Sequence, residues 1–118
     1  MHTFIHVLSL VLAAVFLVSG LVKLIGVEAI EVAAEAIGVP RRLHKTAGVL
    51  EIAAAAALVA DLWWPPLGIA AAIGLTIMMV LATSYHLRGK DKPANTAVPA
   101  LLGLFTLTMT ILSLTTNI

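Results

Sequence analysis

The chain has 118 residues, 61% hydrophobic and 11% charged, with a formal net charge of +1. Soluble domains carry roughly 45–50% apolar and about 25% charged residues, and a soluble fold this small could not enclose so much apolar surface, whereas lipid solvates it directly. The seven basic residues are not gathered with aromatics on one soluble face, which excludes a nucleic-acid surface, and a chain with no cysteine cannot do thiolate, disulfide or cysteine-metal chemistry.

Residues 1–22 carry no full charge, enough for a span of ~20 residues, so a first transmembrane helix is expected over 3–24. Its basic residue, Lys23, follows the apolar run, whereas a signal peptide places its positive charge first; the segment therefore reads as a retained span. From Gly26 to Gly38 the pattern changes. Glu28, Glu31 and Glu35 share one helical face, and Ile30, Ala33 and Ile37 the other. This predicts a short amphipathic helix at the interface, ended by Gly38 and Pro40, the alternative being a solvated connector whose acidic stripe simply faces water. A second span is expected over 43–62. Trp63 and Trp64 suit the headgroup level. Pro65 and Pro66 stop the second span and can open the third, over 67–87. Residues 88–93 form a charged loop, and a fourth span follows over 94–114. The expected fold is all-α: one transmembrane domain over 1–118, a four-helix bundle with an interfacial helix between its first two spans.

The basic residues fall at two places, Lys23, Arg41, Arg42 and Lys45 around the first connection and Arg88, Lys90 and Lys92 in the third. The positive-inside rule puts both connections in the cytoplasm and both termini outside. Ser19-x-x-x-Lys23 and Ser84-x-x-x-Arg88 close the first and third spans alike, too short a match to indicate a duplication. On the third span, Gly68 with Ala72 and Ala70 with Gly74 have small-xxx-small spacing, which fits either a homodimer through that face or packing of the same small residues within the bundle.

Glu51 is the residue most able to carry chemistry. It lies about 9 Å into the second span at 1.5 Å per residue, where an ionisable group must find a partner. Ala47, Gly48, Ala54 and Ala55 share its side and allow a close helix approach, so it is expected to face the interior, either as a working carboxylate or as a structural link between helices. Lys23, on a face with Phe16, Ser19 and Gly20, snorkels to the interface or pairs with Glu51. His86, beside Tyr85, ends the third span, either as an interfacial hydrogen-bonding residue or as a member of a polar cluster. Antiparallel neighbours with short connections pack side by side, so Lys23, Glu51 and His86 are expected to converge in one polar cluster, supported by Ser19, Tyr85 and Asn95. His44, among Arg41, Arg42 and Lys45, reads as a wet-loop residue, Asp61 as a solvated loop acid, and Asn95 and Thr96 as caps of the fourth span. The four histidines are not joined into a metal site, and neither metal nor cofactor is expected.

Phe16-Leu-Val-Ser-Gly20-Leu-Val-Lys23-Leu24, Gly38-Val-Pro40, Gly48-Val-Leu-Glu51-Ile52 and Ala82-Thr-Ser-Tyr-His86 together resemble the DoxX-like membrane proteins. The resemblance covers nearly the whole chain. It implies a small four-helix protein of the bacterial cytoplasmic (inner) membrane, polar at the positions of Lys23, Glu51 and His86. Family names derive from a thiosulfate:quinone oxidoreductase subunit, and animal relatives look like assembly helpers of ligand-gated channels. Three functions follow in order of preference. The first is a non-enzymatic accessory protein, a subunit or assembly helper of another membrane protein. The second is a membrane component of an oxidoreductase acting with a quinone-like apolar ligand or sulfur compounds. The third is a small multidrug-type exporter, disfavoured because those exporters carry a carboxylate in their first helix and this first span has none.

Overall fold

The computed structural model of the chain describes residues 2–117. Its helices are α1 (His2–Ile25), α2 (Glu28–Ala36), α3 (Arg41–Ala60), α4 (Pro65–Arg88) and α5 (Pro93–Asn117). Four of them, all but α2, are long and apolar enough to cross a membrane. Each begins and ends within three residues of its expected bounds, because the turn residues leave little freedom. Pro65 and Pro66 occupy the first positions of α4, where a missing N–H is harmless and φ is already helical. The short amphipathic helix forms as α2. It ends in a reciprocal turn in which Val39 N–H bonds the Ala34 carbonyl at 2.9 Å and Gly38 N–H the Glu35 carbonyl at 3.0 Å. That turn needs a left-handed residue, and Gly38 supplies it with φ +87°.

α4 ends in the same way, with Asp91 N–H on the His86 carbonyl at 3.0 Å and Lys90 N–H on the Leu87 carbonyl at 3.2 Å. Here the left-handed position falls to Lys90, at φ 53°. A side chain in this conformation is strained by its own Cβ. Lys90→Gly should therefore raise stability by roughly 0.5–1 kcal/mol, seen as a later midpoint in a detergent unfolding titration.

The spans pack in a ring: α1 against α3, α3 against α4, α4 against α5, and α5 back against α1. Leu12, Ala13 and Phe16 of α1 meet Ala55 and Leu58 of α3, Ala71, Ala72, Leu75 and Met79 of α4, and Met109 of α5. Hydroxyls tie neighbours together where no water can reach: Ser9 Oγ donates to the Leu58 carbonyl at 2.5 Å, and Thr76 to Thr106 at 2.9 Å. The outer faces are apolar, with Val11, Val18, Ile77, Val80, Leu101 and Phe105 exposed. All seven lysines and arginines stand at one end of the bundle, the basic end, and Trp63 and Trp64 are exposed at the other.

Four expectations are corrected. His44 is buried rather than wet, at 5% exposure, because α2 folds back over the start of α3 and sets Ala34 and Val39 beside it. Asp61 is buried as well, at 3%, because it folds onto Gly68, where any Cβ would collide with it. Burial pushes the Asp61 carboxyl above its ordinary range, with His6 partly opposing. Of the small residues expected to face another copy, Gly68 and Ala72 are instead buried inside the bundle, while Ala70 and Gly74 lie on the outer face. Finally, α5 starts at Pro93, so Asn95 and Thr96 are helix residues and not caps: Asn95 donates to Asp91 and Thr96 back to the Lys92 carbonyl.

Candidate functional site

The site begins with two glycines. Gly20 of α1 and Gly48 of α3 face each other so closely that a Cβ on Gly20 would lie 2.7 Å from the Gly48 carbonyl oxygen. One on Gly48 would lie 3.0 Å from the Lys23 Cβ and 3.1 Å from the Gly20 carbonyl oxygen. Backbone meets backbone here, as small residues permit in membranes. The two helices are antiparallel, so Lys23, one turn beyond Gly20, and Glu51, one turn beyond Gly48, flank this contact, and the close approach lets the lysine side chain span it. The Lys23 Nζ donates to Glu51 Oε1 at 2.5 Å. The two ends of this pair are unequal: the lysine side chain keeps 21% exposure, the glutamate 1%. Lys23 thus reaches down from the basic end to a carboxylate that has no other route to water, and each charge offsets the desolvation of the other.

Lys45 extends the network outward. Its Nζ donates to the Lys23 and Leu24 carbonyls at 2.9 and 3.3 Å, satisfying the last turn of α1, whose carbonyls have no partner within the helix. The same ammonium pairs with Glu31 of α2 at 2.9 Å, and Arg41 approaches Glu31 at 3.5 Å and Glu35 at 3.8 Å. Ion pairs and backbone contacts therefore run without a break from the surface at Arg41 to the interior at Glu51.

The hydrogen bond from Lys45 holds the Glu31 carboxyl below its ordinary 4.5, with partial burial opposing and the charges of Lys45 and Arg41 assisting. A carboxyl depressed by folding stabilises the folded arrangement above its free pKa and loses that contribution as pH falls through the folded value. Docking of α2 should therefore hold from neutral pH down to about 4.5 and weaken below it. Amide exchange across residues 28–36 would show this, and Lys45→Met should give the fast-exchanging α2 already at neutral pH.

His86 is not bonded to this pair. Its Nδ1 lies 2.6 Å from Asp91 Oδ2, in the turn that ends its own helix. Asp91 also accepts from Asn95 Nδ2 at 3.1 Å and the Lys92 amide at 2.8 Å. Asn95, then the Lys92 amide, then His86 hold its carboxyl below the usual range. The structure thus brings Lys23 and Glu51 together and gives His86 a separate acidic partner. Ser19 and Tyr85 are half-buried, and among the described residues neither is hydrogen-bonded to Lys23, Glu51 or His86.

Sequence reasoning missed Lys45, Glu31 and Asp91 as partners. Their signals were present. Glu31 lies on the acidic face of a short helix whose connection leads directly to the basic start of α3, and Asp91 follows His86 by five residues across a glycine. Two buried atoms, Glu51 Oε2 and His44 Nε2, have no hydrogen-bond partner among the described residues. Both project from the inner stripe of α3 that also holds Gly48, Ala55 and Leu58. The pair can therefore hold two helices through Oε1 and still accept one further donor at Oε2. Among the described residues no three His, Asp or Glu side chains are placed to share a metal ion.

Comparison with known proteins gives a family match. The model of the DoxX-like family matches residues 7–109, a stretch that contains both glycines, the Lys23–Glu51 pair, α2 and the His86–Asp91 pair. No curated protein and no solved structure matches the chain. With the match running from α1 well into α5, the chain belongs to the DoxX-like family.

Proposed function

We propose that this protein is a non-enzymatic accessory protein of the membrane, a subunit or assembly helper that binds another membrane protein through its helices. The observation that carries the reading is the enclosed Lys23–Glu51 pair, at a glycine contact that joins α1 to α3. The ion pair of the interior is thereby used to hold the scaffold, and the outer faces are left with large apolar side chains suited to helix packing. The proposed orientation places the basic end in the cytoplasm and both termini outside, in a bacterial inner membrane. An alkaline-phosphatase fusion after Ile118 should then be active; an inactive fusion would reverse the orientation.

A second reading rests on Glu51 Oε2, the buried acceptor without a partner. The O–H of a quinol, the reduced form of a quinone-like apolar ligand, would donate to it, which would suit a membrane component of an oxidoreductase. Deletion of the gene with quantitative proteomics of the membranes separates the two. The accessory reading expects one multi-span membrane protein to fall several-fold in abundance and to recover with the wild-type chain. Unchanged membrane proteins with a lost quinone-dependent oxidation would favour the second reading. Lost drug resistance with neither change would favour an exporter.

A further inference from the structure

We propose that the basic end of the bundle holds the phosphate headgroup of an anionic phospholipid, between Arg42 at the start of α3 and Arg88 and Lys90 at the end of α4. The argument starts from charge. Of the seven lysines and arginines, Lys23 is paired with Glu51, Lys45 with Glu31, and Arg41 with Glu31 and Glu35. Arg42, Arg88, Lys90 and Lys92 are exposed and have no ion pair among the described residues. The nearest acid in sequence, Asp91, is already engaged by His86, Asn95 and the Lys92 amide.

These cations come from two connections far apart in sequence, and one contact fastens the connections together. Ile37, which precedes the Gly38 turn, packs directly on Gly89: a Cβ at Gly89 would lie 2.7 Å from the Ile37 Cβ and 2.8 Å from its Cα. Gly89 sits between Arg88 and Lys90, and Arg42 follows Ile37 by five residues. The left-handed turn at Lys90 places that lysine immediately beyond the contact.

Depth and surroundings select the ligand. Arg42 lies in the first turn of α3 and Arg88 is the last residue of α4, so both stand where spans leave the hydrocarbon and headgroup phosphates lie. Each adjoins an exposed apolar side chain, Leu43 at 40% and Leu87 at 65%, as an acyl chain below a phosphate requires. Clustered cations beside a span attract anionic lipid. A zwitterionic lipid presents the same phosphate together with its own cation, so net charge separates the two.

Native mass spectrometry of the full chain with dioleoyl phosphatidylglycerol and dioleoyl phosphatidylcholine tests the proposal, because the two lipids share their acyl chains. The wild type should retain the glycerol lipid in preference, and less so as salt rises. Arg42→Gln, Arg88→Gln and Lys90→Gly should each lower that retention about fivefold and leave the choline lipid unchanged. Lys90→Gly also relieves backbone strain, so its loss of lipid would not reflect misfolding. Gly89→Val keeps every charge and wedges Ile37 away; it should lower the preference too. Equal retention of both lipids by the wild type, preference surviving in Gly89→Val, or displacement of the lipid by millimolar inorganic phosphate would overturn the proposal. None of these results depends on whether the protein is an accessory subunit.

Discussion

Lys23→Met should destabilise the bundle by about 3–5 kcal/mol, because it leaves the Glu51 carboxylate buried with no cation. Glu51→Gln should cost less, about 1–3 kcal/mol: the amide oxygen still accepts a hydrogen bond, and Lys23, at 21% exposure, can turn toward the interface. Lys23→Met combined with Glu51→Leu should return close to wild-type stability, since replacing a whole buried pair by apolar side chains is often neutral or better. Unfolding in mixed micelles measures all three. The double variant also separates structure from activity. A fully stable double variant that keeps its membrane partner shows a structural lock, whereas one that is stable but loses its partner or an oxidation activity shows a working site. A fully stable Lys23→Met single variant would mean that the pair does not hold α1 to α3.

The second large effect is expected at the glycine contact. Gly48→Leu introduces a side chain where the Lys23 Cβ and the Gly20 carbonyl oxygen already stand at about 3 Å from its first carbon. Ordinary overpacking costs about 1–3 kcal/mol, and flexible neighbours usually absorb part of it. Here backbone is in the way, and moving it also separates Lys23 from Glu51, so a loss of about 3–5 kcal/mol is expected. The chain has no cysteine, so spin labels can be placed at will. Labels at the lipid-facing Val18 and Val49 should report a wider α1–α3 distance in Gly48→Leu. Gly74→Leu is the control: nothing lies within 4 Å of its Cβ, and leucine should even favour the helix by about 0.5–1 kcal/mol. A Gly48→Leu chain with unchanged distance and stability would show that the close approach is not required.

The spans were legible because each is a long, mostly apolar run bounded by residues that do not continue a helix, Gly26, the Pro65–Pro66 pair and the Gly89–Pro93 loop. The meeting of Lys23 and Glu51 was legible for a related reason. An ionisable group inside a bilayer has few possible partners, and a lysine side chain at the end of α1 is long enough to reach a carboxylate a few turns into the neighbouring helix, to which a short connection joins it. His86 was different. Its depth near the end of α4 gave it access to loop residues as well as to the interior, and the choice between them rests on a backbone turn. Lys90 in a left-handed conformation folds Asp91 back onto His86, and lysine gives no sign of that conformation. His44 and Asp61 were misplaced because adjacent charges suggested water. Their burial depends on α2 lying across one and Gly68 receiving the other, and neither is a periodicity that the chain displays. The same gap hid the outcome at Gly68 and Ala72: spacing identifies a close-packing face without saying whether its partner is within the chain or another copy.

The enclosed ion pair also bears on how the chain enters the membrane. α3 is the least apolar of the four spans, and Glu51 sits near its middle, where an ionisable group costs about 2.5–3.5 kcal/mol on insertion. The helix that offsets this cost is made first: α1 precedes α3 in the chain, and its Lys23 is already at the basic end when Glu51 arrives. α1 therefore acts toward α3 as a helper carried in the same polypeptide, and α3 leaves the insertion machinery against a ready partner and not into lipid alone. The order of the helices in the sequence becomes part of the means by which a charged span is accepted by the bilayer.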